Sequence, residues 1–267
     1  MINAEFLTPT AAVAPHPTRT LPSPGQGVRH DAEAVTHLSL AWNESLRLVE
    51  QHLPFRRRML HAGDVVQVAG EPFVHLHVVK FGVCKSISLA PNGTLQVAGF
   101  HLKGDWIGFD CIASGSSVCD AVAMDTSEVW SFSYSSLLQA APEIPQLMHI
   151  LHVAMSCQMA RDRDWRFALG TLAADARVAD FVLSWASLLA ERQLRTDEIT
   201  LRMTRAEIGN YLGMTLETVS RAFTRLSQLD LIRFEQRGRR HFTIPSVHAL
   251  MQFIERTGGA NSSATLQ

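Results

Sequence analysis

TRAEIGNYLGMTLETVSRAFTRLSQL, residues 204–229, is the stretch that decides how the chain is read. Thr204 is suited to cap a helix, and Glu207 three residues on completes a capping box. Ile208, Tyr211 and Leu212 supply one apolar face. Gly213 stops the helix, because glycine takes positive φ without a Cβ clash. Thr215 caps a second helix, on which Val219, Phe223 and Leu226 fall at i, i+4 and i+7 and form one buried stripe. The opposite stripe is Glu217, Ser220, Arg221, Thr224 and Gln228, every one able to hydrogen-bond. Two short helices around a glycine turn predict a helix-turn-helix. In that motif the first helix crosses the nucleic-acid backbone, and the N-terminal half of the second enters the major groove of double-stranded DNA. Arg suits guanine O6/N7, Glu accepts from cytosine N4, and Ser serves a phosphate or a base. The competing reading is an amphipathic hairpin that merely packs into a core. The flanking chain decides between them.

Downstream, Leu231–Phe234 and His241–Ile244 are strand-like. Arg237-Gly238-Arg239-Arg240 is the turn between them, a basic wing of the kind that reaches phosphates. Residues 201–241 hold eight Arg against four acidic residues, while residues 1–200 are net acidic and the whole chain carries a formal charge of −1. The positive surplus therefore sits at the helical hairpin and its wing, as a footprint for phosphates should. Base contacts are expected from Glu217, Ser220 and Arg221. Arg205, Arg225, Arg237, Arg239 and Arg240 are expected on phosphates, with Thr204, Thr215, Thr218 and Thr224 as further DNA contacts.

Upstream, the 267 residues leave room for a second domain. Residues 1–33 are Pro-, Ser- and Thr-rich without periodicity and read as a disordered tail. Helical spacing follows over Ala34–His52. From Phe55 to about Ser135, short β-leaning runs alternate with turn signals: Val65–Val68, His75–Val79, Gly82–Leu89, Leu95–His101, Ala121–Met124 and Glu128–Ser133. Asn92-Gly93 marks a hairpin, and the spacing predicts a small barrel or sandwich over residues 34–142. Ile144–Phe167 then reads as a helix longer than a small domain needs. Its stripe of Leu147, Ile150, Leu151, Val153, Ala154, Cys157, Gln158 and Arg161 makes residues 143–170 a candidate dimerisation helix. Asp175–Arg192 is a further amphipathic helix, ITLRM (199–203) a short strand, and residues 171–252 complete a winged helix-turn-helix. Residues 253–267 look frayed. The fold class is α+β.

No run approaches 18 uninterrupted apolar residues and no leader pattern opens the chain, so a cytoplasmic protein without a membrane span is expected. The four cysteines, Cys84, Cys111, Cys119 and Cys157, form no C-x-x-C and read as buried reduced thiols. The Cys111/Cys119 pair is the one with spacing for a redox role. No nucleophile–base pair, metal spacing or phosphate loop points to an enzyme.

Two longer stretches carry a family resemblance. AGFHLKGDWIGFDCIASG (Ala98–Gly115) and MTRAEIGNYLGMTLETVSRAFTRL (Met203–Leu226) closely resemble the barrel-closing and recognition segments of FNR-type proteins. Barrel, long helix and winged helix-turn-helix is the order of the CRP/FNR transcription regulators. The resemblance implies a jelly-roll barrel like that of cyclic-nucleotide-binding domains, and a homodimer on a palindromic FNR-like operator. It implies RNA polymerase as a partner, touched in part through the Lys85–Thr94 hairpin, and activation as the outcome. A ligand- or haem-sensing repressor or dual regulator is the alternative. The family's E-x-x-S-R core falls on Glu217, Ser220 and Arg221. Two family properties do not carry over. Met1–Leu53 has no cysteine and the internal ligand position in EVWSFS is Trp130, so no 4Fe–4S cluster is expected. The ribose-binding Glu falls on Phe109 and the phosphate-binding Arg-Ser pair on Cys119-Asp120, so no cyclic nucleotide is expected either. Haem remains open through His75, His77, His101, His149 or His152. Asp162 and Asp164, with Arg161 and Arg163, are expected to tune the dimer seam.

Overall fold

The computed structural model describes residues 32–90, 93–235 and 240–262. The N-terminal half is two four-stranded antiparallel sheets laid face to face. One has the order β1 (Phe55–Leu60), β8 (Ser127–Ser133), β3 (His75–Phe81), β6 (Trp106–Ile107). The other runs β2 (Val65–Gln67), β7 (Asp120–Ala123), β4 (Cys84–Leu89), β5 (Leu95–His101). Side chains alternate between the faces of a strand. Val129 of β8 therefore joins Leu60, Val66, Val79, Cys84, Ile107, Ala121 and Ala123 between the sheets. Its neighbours Trp130 and Phe132 face outward into a second core. There they meet α1 (Ala32–His52), α2 (Tyr134–Ala140) and the long α3 (Gln146–Thr171) through Leu46, Val49, Leu137, Leu147, Ile150, Leu151 and Ala154.

That second core corrects one expectation. Leu147, Ile150, Leu151 and Ala154, read as the seam of a dimer helix, are buried in the chain's own barrel core. Arg161, read as a group that offsets charge across a dimer, instead donates to Asp105 of its own barrel. The outward face of α3 is a different stripe. His152, Met155, Met159, Asp162 and Arg166 follow steps of three and four, with Met159 69% exposed. Phe167, about two turns beyond Met159, is 54% exposed.

The C-terminal half packs α4 (Ala174–Glu191), α5 (Arg205–Leu212), α6 (Leu216–Gln228) and α7 (Val247–Ser262) against a three-stranded sheet. That sheet has the order β10 (Arg233–Phe234), β11 (His241–Thr243), β9 (Ile199–Thr200). The core is Val178, Val182, Trp185, Ile208, Val219, Phe223, Leu226 and Phe242, and it extends without a break to Val83 and Leu102 of the barrel. Phe100 of β5 bridges the halves, with rings of Phe181, Trp185 and Tyr211 at 5.1–6.4 Å. Residues 253–262, expected to fray, belong to α7, whose Leu250, Phe253 and Ile254 dock on the same core. Of ITLRM only Ile199–Thr200 is strand; Leu201 and Met203 are nevertheless fully buried. Residues 1–31, most of the expected tail, lie outside the described residues.

Polar contacts also join the halves. Asp105, 1% exposed, accepts from Arg161 at 3.2 Å, from Arg192 at 2.5 Å and from the Leu102 amide at 2.9 Å. Arg192 is itself fully buried and lies over the Trp42 ring at 4.8 Å. Burial alone would raise the Asp105 carboxyl, but the two guanidinium groups outweigh it and hold it below the ordinary value. Next, Asn210 of α5 caps the open edge of β5. Its amide nitrogen donates to Leu95 O at 2.7 Å, and its amide oxygen accepts from Val97 N at 2.5 Å. Lastly, Lys85 of β4 pairs with Glu207 of α5.

Candidate nucleic-acid interface

Thr204 caps α5 through the Glu207 amide, and Glu207 returns to the Thr204 amide at 2.8 Å, so the capping box is complete. Gly213 ends the helix at φ 64°, ψ 40°, in the left-handed region. Thr215 then caps α6 through the Thr218 amide at 3.2 Å. The turn is closed by a residue that pattern reading passes over. A Cβ on Gly209 would lie 2.7 Å from the Met214 carbonyl oxygen, so only a glycine lets α5 approach the turn this closely.

Val219, Ala222, Phe223 and Leu226 of α6 are buried. Glu217, Arg221, Thr224 and Gln228 are exposed, and Ser220 is half-buried between them. Ser220, Arg221, Thr224, Arg225 and Gln228 line one side of an open groove of about 430 Å³, and Asp175 of α4 lines the other. Asp175 was not singled out in the sequence. It holds Arg225 at 3.1 Å, so Arg225 stands at the groove rim already engaged. Arg205 lies with its guanidinium carbon 3.3 Å from the Phe223 ring centre. This cation–π contact fixes it over the motif's own core. Thr224 Oγ1 donates to Ser220 O at 2.9 Å, while Thr215 and Thr218 hydroxyls share a 3.0 Å contact. Arg240 is exposed next to β11. Arg237 and Arg239 lie outside the described residues.

Burial pushes the Glu207 carboxyl up, yet the bonds from Lys85 and Thr204 hold it below its ordinary value. Lys85 is therefore engaged inside the chain, and the side of its hairpin that carries Leu95–Val97 is covered by α5.

An exposed polar stripe on a capped helix, backed by a packed core and a small sheet, defines a winged helix-turn-helix DNA-binding unit joined to a two-sheet sensor-type domain. The comparisons agree. Residues 57–142 match the cyclic nucleotide-binding domain and residues 176–253 the Crp-like helix-turn-helix domain. The transcriptional regulatory protein btr of Bordetella pertussis is 33% identical over 195 residues, 73% of this chain and 81% of that protein. The fumarate and nitrate reduction regulatory protein of Escherichia coli K12 is 32% identical over 202 residues, 76% and 80% of the two chains. The solved structure of FixK2 from Bradyrhizobium japonicum superposes with a TM-score of 0.66 at 29% identity, covering 75% of this chain and 97% of that one. The chain belongs to the CRP/FNR family of transcription regulators, with a helix-turn-helix DNA-binding domain.

The barrel residues do not fit the cyclic nucleotide that the family's domain implies. At the phosphate position Cys119 is buried with its sulfur 3.9 Å from Gln67 Nε2, and burial pushes its thiol up to about 11. The next residue, Asp120, spends its carboxylate on the Ala69 amide at 2.7 Å. A neutral thiol and an anion cannot replace a guanidinium and a hydroxyl for a phosphate. Phe109 packs against the helical core where a ribose acceptor would be needed. The cysteines also fail to converge. Cys84 lies between the sheets, Cys111 and Cys119 flank Gln67, and Cys157 is on α3. Among the described residues no three His, Cys, Asp or Glu side chains are placed to hold a metal ion. His77 is bonded to Ser131 at 2.8 Å, and burial brings its pKa down to about 4. His101 is bonded to Ser86 at 2.7 Å, whereas His149 and His152 are exposed. Among the described residues no helix is long and apolar enough to cross a membrane.

Proposed function

We propose that the protein acts in the cytoplasm as a homodimeric regulator that reads a palindromic FNR-like operator and activates transcription through RNA polymerase. Glu217, Ser220 and Arg221 touch base edges. Thr204, Arg205, Thr215, Thr218, Thr224, Arg225 and Arg240 touch the backbone, together with Arg237 and Arg239 of the wing. The observation that carries the reading is the outward polar stripe of α6, with Glu217, Arg221, Thr224 and Gln228 exposed over a fully packed inner stripe. The dimer is supported by the outward face of α3. Exposed Met159 stands in a row with three-and-four spacing, as a parallel helix pair requires. Activation by polymerase contact rests on the resemblance to the CRP/FNR regulators described above.

The test is a salt series of binding to palindromic duplexes. Arg221→Ala should cost about 1–3 kcal/mol and relax preference at one base pair per half-site. Arg240→Ala should weaken all sequences alike and flatten the salt slope by about one charge per half-site. An equal, sequence-blind loss in both variants would overturn the assignment of roles.

A further inference from the structure

We infer that Arg177 is the positioning residue that sets the distance between the recognition helix and the dimer helix, and so fixes the half-site spacing the protein accepts. The inference rests on the homodimeric reading above. Arg177 stands in the first turn of α4. Its Nη2 donates to Leu169 O in the last turn of α3 at 3.0 Å and to Leu172 O just beyond it at 2.9 Å. Its Nη1 donates to Leu212 O, at the end of α5, at 3.1 Å.

Leu169 and Leu212 supply helix-end carbonyls, which have no amide partner within their own helices. They also sit at the negative ends of two helix dipoles. A guanidinium is matched to such a cluster. It is always charged, planar, and carries donors in a rigid fork. Capping α3 alone would need only the first two bonds. The third crosses to the helix-turn-helix, one residue before its glycine turn. The same end of α3 also packs there, since a Cβ on Gly213 would lie 3.9 Å from Leu169 Cδ2.

The bond matters because of what it bridges. Only Leu172 and Ala173 connect α3 to α4, and both are extended, with φ/ψ of −93°/136° and −63°/161°. Rotation about so short a connector would swing the DNA-binding unit away from the α3 axis. If α3 meets its mate along that axis, the offset of each recognition helix from the two-fold is held by whatever spans the connector, together with the contacts of α5 on β4 and β5. Arg177 does so with one side chain bonded on both sides.

The test uses the full chain and palindromic duplexes whose central spacer is lengthened or shortened by one base pair. One base pair turns a half-site by about 34° around the duplex. The wild type should lose about a hundredfold in affinity on either altered spacer, because a rigid dimer then engages only one half-site at a time. Arg177→Met removes the three donors and keeps the apolar stem. It should flatten the profile to a loss below about tenfold, with its base preference within each half-site unchanged. Arg177→Lys, which keeps charge without the fork, should fall between. A merely structural role would lower affinity on every duplex and leave the shape of the profile intact. That result in Arg177→Met overturns the inference, and an unchanged profile in Arg177→Lys does so should the Met variant not fold. A wild type that binds one half-site as tightly as two overturns the homodimeric reading itself, a different outcome.

Discussion

At the scale of single residues, two glycines make the helix-turn-helix, and only one announces itself. Gly213 sits after an apolar run and before a capping threonine, so its left-handed conformation is expected from order alone. Gly209 lies in mid-helix, where glycine is ordinarily unfavourable by about 1 kcal/mol against alanine. Its reason is the Met214 carbonyl, 2.7 Å from an added Cβ. Gly209→Ala therefore sets a propensity gain of about 1 kcal/mol against overpacking of about 1–3 kcal/mol. The obstructing atom is backbone and cannot rotate aside, so the cost should win. Urea denaturation should show a net loss, and DNA affinity should fall further as α6 shifts relative to α5. A stabilised variant with unchanged affinity would show that the turn gives way freely. Asp175 teaches the same lesson at the groove, where a carboxylate from another helix already occupies Arg225.

At the scale of elements, a half-buried acid of α4, Asp180, feels the charge of Asp164 on α3. Burial, with Asp164 as a like-charged neighbour, pushes the Asp180 carboxyl up to about 6 from 3.8. The folded state thus holds a proton between about pH 4 and pH 6 that the unfolded state releases. Stability falls as pH rises through that window, and the ionised form is penalised above it. Asp180→Asn should therefore be more stable than wild type by about 2 kcal/mol at pH 7.5, the difference closing by pH 4. Thermal melts at the two pH values measure it. An equal gain at both would mean that the asparagine helps through contacts rather than charge. The long helix itself shows how an element can be foreseen and its faces confused. The apolar stripe expected to face a second copy faces the chain's own barrel, and the row left outside mixes Met with His, Asp and Arg.

At the scale of the whole molecule, the halves share a core and are pinned at Asp105. Removing that carboxylate takes its nearest acid from the fully buried Arg192, which keeps only Glu191 at 3.5 Å, and leaves Arg161 without its acid. Asp105→Ala should cost about 3–5 kcal/mol, as breaking a buried ion-pair cluster by removing one partner does. Urea denaturation at pH 7 checks it, and a loss below about 1 kcal/mol would mean that water relieves the cluster.

From the sequence alone came what is periodic or local. The capped helix pair, the order of its groove-facing side chains, nine of the described strands and the long helix follow from spacing, caps and turn residues that act over a few positions. β1, with three arginines in six residues, and the two-residue β6 carry no apolar alternation to find. What pairs across distance was decided only by the tertiary structure: the carbonyls that Arg177 joins, the carboxylate that Arg225 meets, the strand edge that Asn210 covers, and the core that claims α3. A side chain's neighbour in sequence is fixed by the covalent chain. Its neighbour in space depends on how whole elements share apolar surface, and no local pattern encodes that choice.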